Sequence, residues 1–191
     1  MLKKYRIYKL DEINLDNIVY TKPHITKIKQ NTNYIDIFYN DPELGIVPFI
    51  LELPKLNIID YISEVDLILE LDDNKSFFDK LDDKFINYFK ENMNMLELCN
   101  NIKYKTIVKK DKYDNDKYNG IIKLTLLDNK NLISTIKTTI FDKNKHIILS
   151  DNYKKYLKNG KSVRSMIEIS TLWIKNDLCG AYLKLYQLSE L

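Results

Sequence analysis

The chain has 191 residues, enough for one well-buried core and too few for two comfortable ones. A hydrophobic share of 45% against a charged share of 30% describes a globular chain and excludes a disordered one. The net charge of +3 conceals a split: residues 1–102 carry 12 basic and 18 acidic side chains, residues 103–191 carry 18 and 9. Such asymmetry marks a polyanion-binding half, although a lysine-rich chain also produces it by chance.

No run approaches the roughly 18 uncharged apolar residues of a membrane span. The N-terminal Met-Leu-Lys-Lys-Tyr-Arg lacks the apolar core of a secretory signal. Cys99 and Cys179 are too few for a disulfide framework or a structural zinc, so a reducing compartment and no membrane are expected.

Residues 1–20 show no winning period. Residues 24–29 and 34–39 are short β-prone runs joined by a polar connection that suits a hairpin. The run Asp41-Pro42-Glu43-Leu44-Gly45 is a turn, with proline presetting its own φ and glycine closing the corner. Residues 46–53 read as a strand in which Pro48 argues for an edge or bulge, and Pro54 is expected to end it. Residues 64–71 alternate as a half-buried strand. Phe77, Phe78, Leu81, Phe85, Ile86 and Phe89 then recur at spacings of three and four, predicting a helix of about five turns that begins near Asn74. Its charged side chains, Asp82 among them, are expected to be solvated.

Residues 103–109 read as a strand by composition, followed by a polar loop. Residues 120–126 set Ile122, Leu124 and Leu126 opposite Lys123 and Thr125, and residues 132–141 set Leu132, Ile136 and Ile140 opposite Lys137 and Thr139. The chain ends in a long antiparallel hairpin. A Val/Ile/Thr/Trp-rich run over 161–174 is joined to an alternating run over 181–188 by a polar link ending in Gly180. Ala181, Leu183 and Leu185 fall on one face, with Tyr182, Lys184 and Tyr186 on the other.

Enzyme signals are weak. No glycine pair is close enough for a phosphate loop, His24 and His146 stand apart, and no carboxylate has a base, nucleophile or metal partner in view. No enzymatic activity and no cofactor are expected. What remains is a binding surface of outward residues on the later strands: Lys105, Lys123, Lys137, Arg164, Tyr182, Lys184 and Tyr186. Trp173 belongs either to that face or to the core, and its flanks Leu172 and Ile174 favour the core. Lysines that track phosphates beside aromatics that stack on bases are what a sequence-tolerant single-strand binder needs. With only Arg6 and Arg164, bidentate reading of bases in a duplex groove is disfavoured.

Certain residues also carry a family resemblance. They are the strand ending in Leu53-Pro54, the helix with Phe77-Phe78 and Leu81-Asp82, and the close with Gly160, Val163, Ile167-Glu168-Ile169, Leu172-Trp173-Ile174, Gly180, Lys184 and Gln187-Leu188. Together they resemble the single-stranded DNA-binding proteins of nucleocytoplasmic large DNA viruses and, more distantly, phage single-stranded DNA-binding proteins with OB folds. The resemblance implies a β-dominated, OB-like antiparallel Greek-key barrel with a helical insertion around residues 74–95, spanning 1–191 as one domain. It implies sequence-independent binding of single-stranded DNA in viral replication or repair, in the host cytoplasm or carried in the virion. RNA binding and homo-oligomerisation stay open. The rival reading is a virion structural protein that assembles through its C-terminal hairpin.

Overall fold

The computed structural model describes residues 5–25, 32–62, 66–96, 102–109, 118–126, 138–149 and 152–191. In chain order the first strands are β1 (Ile7–Lys9), β2 (Ile18–Tyr20), β3 (His24–Ile25), β4 (Asn33–Asp41) and β5 (Gly45–Pro48). Then come β6 (Ile50–Ile62), β7 (Asp66–Glu70) and the helix α1 (Lys75–Glu91). The remainder is β8 (Lys103–Lys105), β9 (Val108–Lys109), β10 (Ile121–Leu126), β11 (Thr139–Phe141), β12 (Ile147–Ile148), the one-turn α2 (Tyr153–Tyr156), β13 (Ser162–Lys175) and β14 (Leu178–Glu190).

Five of these strands close a barrel. β6 pairs antiparallel with β7, and β7 with β10. β10 runs parallel to β14, β14 is antiparallel to β13, and β13 returns antiparallel to β6. A sequential order of 1-2-3-5-4-1 with one parallel pair is the five-stranded Greek-key barrel expected of an OB-like fold. The far half of β13 leaves β6 and pairs with β4, which also carries β2, β3 and β5. β1 runs parallel on β6, while β8 and β11 run parallel on β14. The helix sits between the second and third barrel strands.

Bulges explain how alternation and closure coexist. Leu51 and Leu53 point inward on β6, and so do Leu56 and Ile58, because Pro54 and Lys55 together oppose the single residue Arg164. A bulge leaves its extra residue unpaired, and this is a position at which a strand tolerates a proline. Pro54 therefore kinks the strand and does not end it, contrary to the sequence expectation. The turn at Asp41 forms as read: its Oδ1 accepts from the backbone N–H of Glu43 and of Leu44 at 2.8 Å each, and Gly45 takes φ +74°.

Barrel interior and helix share one core. Phe49, Leu51, Leu53, Leu67, Leu69, Ile122, Leu124, Ile167, Ile169 and Leu185 are fully or almost fully buried with Phe78, Leu81 and Phe85 of α1. Burying side chains of this size stabilises by roughly 1.5–3 kcal/mol each, before the entropy of ordering them is subtracted. Asn74 does not cap α1. Its side-chain amide donates back to the Leu71 carbonyl at 3.1 Å, and a single 3-10 turn over Asp72–Asn74 leads into the helix.

Candidate nucleic-acid interface

The terminal hairpin is tighter than its sequence suggests. Asn176 takes φ +55°, a conformation asparagine tolerates better than most residues, so the turn needs only Asn176 and Asp177. Leu178, Cys179 and Gly180 then belong to β14, with Gly180 paired to Trp173. Gly180 is not the corner but a strand residue, and a Cβ there would stand 2.9 Å from Cζ2 of Trp173.

One inserted residue decides where Trp173 points. Val163, Ser165, Ile167 and Ile169 face the core, then Ser170, Leu172 and Ile174 do, with a register shift between Ile169 and Thr171. Trp173 is thereby turned to the outer surface, half-buried, against the expectation of a core position. Its ring centroid lies 6.1 Å from that of Tyr182, at 41°. Tyr182 is 39% exposed and stacks at 6.3 Å and 22° on Tyr34 of β4, whose ring lies 6.2 Å from that of His24. Four rings from four strands thus form one continuous row, in which Tyr34 is buried and Trp173, Tyr182 and His24 reach the surface as a ledge.

Cations meet the ledge from the other side. Lys105 of β8, Lys109 of β9 and Lys123 of β10 line a cleft of about 210 Å³ together with Thr106, Ile107, Thr125, Trp173, Ala181, Tyr182 and Leu183. The parallel pairing of Thr125 with Lys184 sets β10 and β14 side by side here. This is the outer face of the third barrel strand, beside the hairpin that joins the fourth and fifth. In OB-like barrels the face of strands two and three and the loops at that end contact oligonucleotides and oligosaccharides.

The predicted residues divide into three groups. Lys105, Lys123, Trp173 and Tyr182 come together in the cleft. Lys184 and Tyr186 lie further along β14 and converge on Glu168, which accepts from Lys184 Nζ at 3.3 Å and from the Tyr186 hydroxyl at 2.6 Å. Burial and the Glu168 carboxylate push the Tyr186 phenol well above its ordinary pKa. Tyr186 is the bulged residue between two paired positions, so the row Tyr182, Lys184, Tyr186 is interrupted. Arg164 lies elsewhere, 3.4 Å from Glu52, in clefts that do not contain the ledge. Lys137 falls outside the described residues.

Acidic neighbours temper the surface. Lys123 Nζ is 2.6 Å from Asp66, which also accepts from the Thr125 hydroxyl at 2.8 Å. No ion pair among the described residues engages Lys105. Lys105 is therefore the cation of the cleft whose charge is most available to a phosphate.

Sequence reasoning missed Asp82, Lys109, Tyr34 and His24. Asp82 is only 4% exposed, not solvated. It accepts from the Tyr104 hydroxyl at 2.8 Å, the Ile107 N–H at 2.9 Å and the Val108 N–H at 3.2 Å. Burial holds its carboxyl above the ordinary range, against the opposing pull of those donors and of Lys109. The bonds break the expected strand 103–109 into β8 and β9. The signal was present in the spacing, since Asp82 follows Phe78 by four and precedes Phe85 by three, inside the apolar stripe. For Tyr34 the signal was its alternation opposite Ile35 and Ile37. Among the described residues no three His, Cys, Asp or Glu side chains are grouped to hold a metal, and no helix is long and apolar enough to cross a membrane.

No family model and no curated protein matches the chain. Among solved structures it is similar to the single-stranded DNA-binding protein of bacteriophage Enc34. The match has a TM-score of 0.49 and 11% identity, covering 89% of each chain. A C-terminally truncated form of that protein gives a TM-score of 0.47 at 10% identity, covering 88% of this chain and 94% of that one. Its complex with single-stranded DNA gives 0.45 at 9%, covering 87% and 93%. The barrel assignment for this chain stands on its own strand register, independently of these distant likenesses.

Proposed function

We propose that this chain binds single-stranded DNA without sequence preference, as a non-enzymatic protein. The carrying observation is the cleft in which Lys105, Lys109 and Lys123 border the outward-turned Trp173 and Tyr182. Phosphates follow the lysines while bases stack on the ring ledge, each stacked base contributing roughly 1–3 kcal/mol. Every base has a π-face, so a ledge without arginine forks tolerates any sequence. A duplex hides those faces within its own stack, which favours the single strand. The resemblance of the sequence to proteins of large DNA viruses supports a role in viral DNA replication or repair in the host cytoplasm.

Titration of a fluorescein-labelled thymidine oligomer and of a duplex of equal length, at two salt concentrations, tests the reading. Salt-sensitive binding of the single strand in preference to the duplex is expected. A chain that ignores both and elutes as a fixed oligomer points instead to assembly through the C-terminal hairpin.

A further inference from the structure

Among the described residues of the helical insertion only one carboxylate is removed from water, and its bonds run to the rim of the cleft. Asp82 on α1 faces the corner between β8 and β9, 22 to 26 residues further along the chain. Both oxygens are used: Oδ1 by the Tyr104 hydroxyl and the Ile107 N–H, Oδ2 by the same N–H and that of Val108. The corner is closed on itself as well. The Thr106 hydroxyl donates to the Val108 carbonyl at 2.7 Å, and Lys109 Nζ donates to the Thr106 carbonyl. Lys105 and Lys109 flank this corner and line the cleft, with Thr106 and Ile107 between them.

We infer that Asp82 is a positioning residue for nucleic-acid binding: the inserted helix uses it to fix the 105–109 corner, and with it two of the three cleft lysines. This rests on the single-strand reading above and adds to it a task for the insertion. A lysine stem is flexible, and ordering it at the moment of binding costs affinity. Holding the Ile107 and Val108 N–H groups on one side of Thr106 and the Tyr104 side chain on the other fixes the stretch from which both lysines spring, and removes part of that cost beforehand. Asparagine cannot replace the carboxylate. It offers one acceptor oxygen to three donors and aims its own N–H groups at the rest.

The experiment measures binding of the labelled thymidine oligomer across a salt series for wild type, Asp82→Asn, Lys105→Ala/Lys109→Ala and the triple variant. Circular dichroism and thermal melting are recorded on each. Expected is a folded Asp82→Asn protein whose slope of log K against log[salt] is shallower by up to about 1.4, since each single-strand phosphate contact contributes about 0.7. In the lysine-deleted background the same substitution then adds nothing, as coupled groups require. A role confined to stability lowers the melting temperature and leaves the slope unchanged. If wild type binds and the double lysine variant flattens the slope while Asp82→Asn keeps that of wild type, the inference is overturned and the binding reading stands. If wild type does not bind, both fall. If Asp82→Asn fails to fold, Tyr104→Phe decides: it removes one of the bonds to Asp82, a shallower slope supports the inference, and an unchanged slope overturns it.

Discussion

Trp173 lies directly over Gly180, its opposite number on the neighbouring strand. An added methyl at Gly180 would meet Cζ2 at 2.9 Å and Cε2 at 3.1 Å, with the Lys105 carbonyl at 3.2 Å on the other side. The absence of a side chain is therefore what lets the indole settle against the sheet next to Tyr182. Gly180→Ala is expected to push the ring outward, with an overpacking cost of about 1–3 kcal/mol. Trp173 is the single tryptophan, so its emission reports the displacement without labelling. A red-shifted spectrum and a melting point lower by several degrees are expected. Unchanged emission and stability together would show that the ring has room to spare.

The same indole should register DNA. A base stacked on Trp173 and Tyr182 quenches its fluorescence, and Trp173→Ala or Tyr182→Ala should each weaken binding by roughly 1–3 kcal/mol. Because the rings are in contact at 6.1 Å, the double variant should lose less than the two single losses combined. Strict additivity in a fluorescence-anisotropy titration would mean that the rings do not share a binding site.

Ion pairing ranks the lysines. Lys105 has no ion-pair partner among the described residues, whereas Lys123 is held at 2.6 Å by Asp66 and Lys184 at 3.3 Å by Glu168. Lys105→Ala should reduce the salt slope by about 0.7, and Lys123→Ala by less. Asp66→Asn should tighten binding about 1.4- to fivefold by releasing Lys123 from a pair worth about 0.2–1 kcal/mol. Isothermal titration across a salt series distinguishes these, and weaker binding by Asp66→Asn would refute the ranking.

Elements set by local rules were legible in the sequence. The stripe Phe78, Leu81, Phe85, Phe89 specifies α1, the turn over 41–45 follows from Pro42 and Gly45, and the terminal hairpin follows from β-branched composition. What escaped were single-residue insertions whose consequence is non-local. Alternation carried forward from Ile167 and Ile169 would put Trp173 in the core, and only the bulge at Ser170, set by competing pairings with β4 and β14, reverses it. Closure through the parallel pair β10 and β14 is likewise a contact between distant segments that neither strand announces. The cleft was half visible for the same reason: Lys105, Lys123 and Tyr182 follow from outward alternation. Arg164 lies outside the cleft because it sits at the other end of β13 from Trp173, next to Glu52.

The thiol of Cys179 provides a check on how tightly the ledge end of the barrel is closed. Cys179 is 1% exposed beneath the cleft, next to Gly180, and burial pushes its pKa up to about 12. The thiolate is the reactive form, so at pH 8 the folded protein should leave Cys179 unalkylated by iodoacetamide while the denatured chain is labelled promptly. Mass spectrometry of the peptide that contains it reads the difference. Fast labelling in the native state would mean that the end of the barrel opens.

Stability should also carry a signature of pH at the N-terminal strand. The Tyr8 hydroxyl donates to Asp41 Oδ2 at 2.5 Å, and Arg6 lies 3.5 Å from the same oxygen. The Tyr8 bond, then the N–H groups of Leu44 and Glu43 and the charge of Arg6, hold the Asp41 carboxyl below its usual pKa, against the opposing effect of burial. A depressed folded pKa stabilises the protein above the unfolded value of about 3.9, and that contribution is lost as pH falls through the folded value. Tyr8→Phe removes the largest of these interactions. It should lower the melting temperature at pH 7, and the gap from wild type should narrow as the pH falls below about 4, when Asp41 takes up a proton in both proteins. Thermal melts at intervals from pH 7 to pH 2.5 measure it, and a gap that stays constant over that range would show that the Tyr8 bond does not depend on the charge of Asp41.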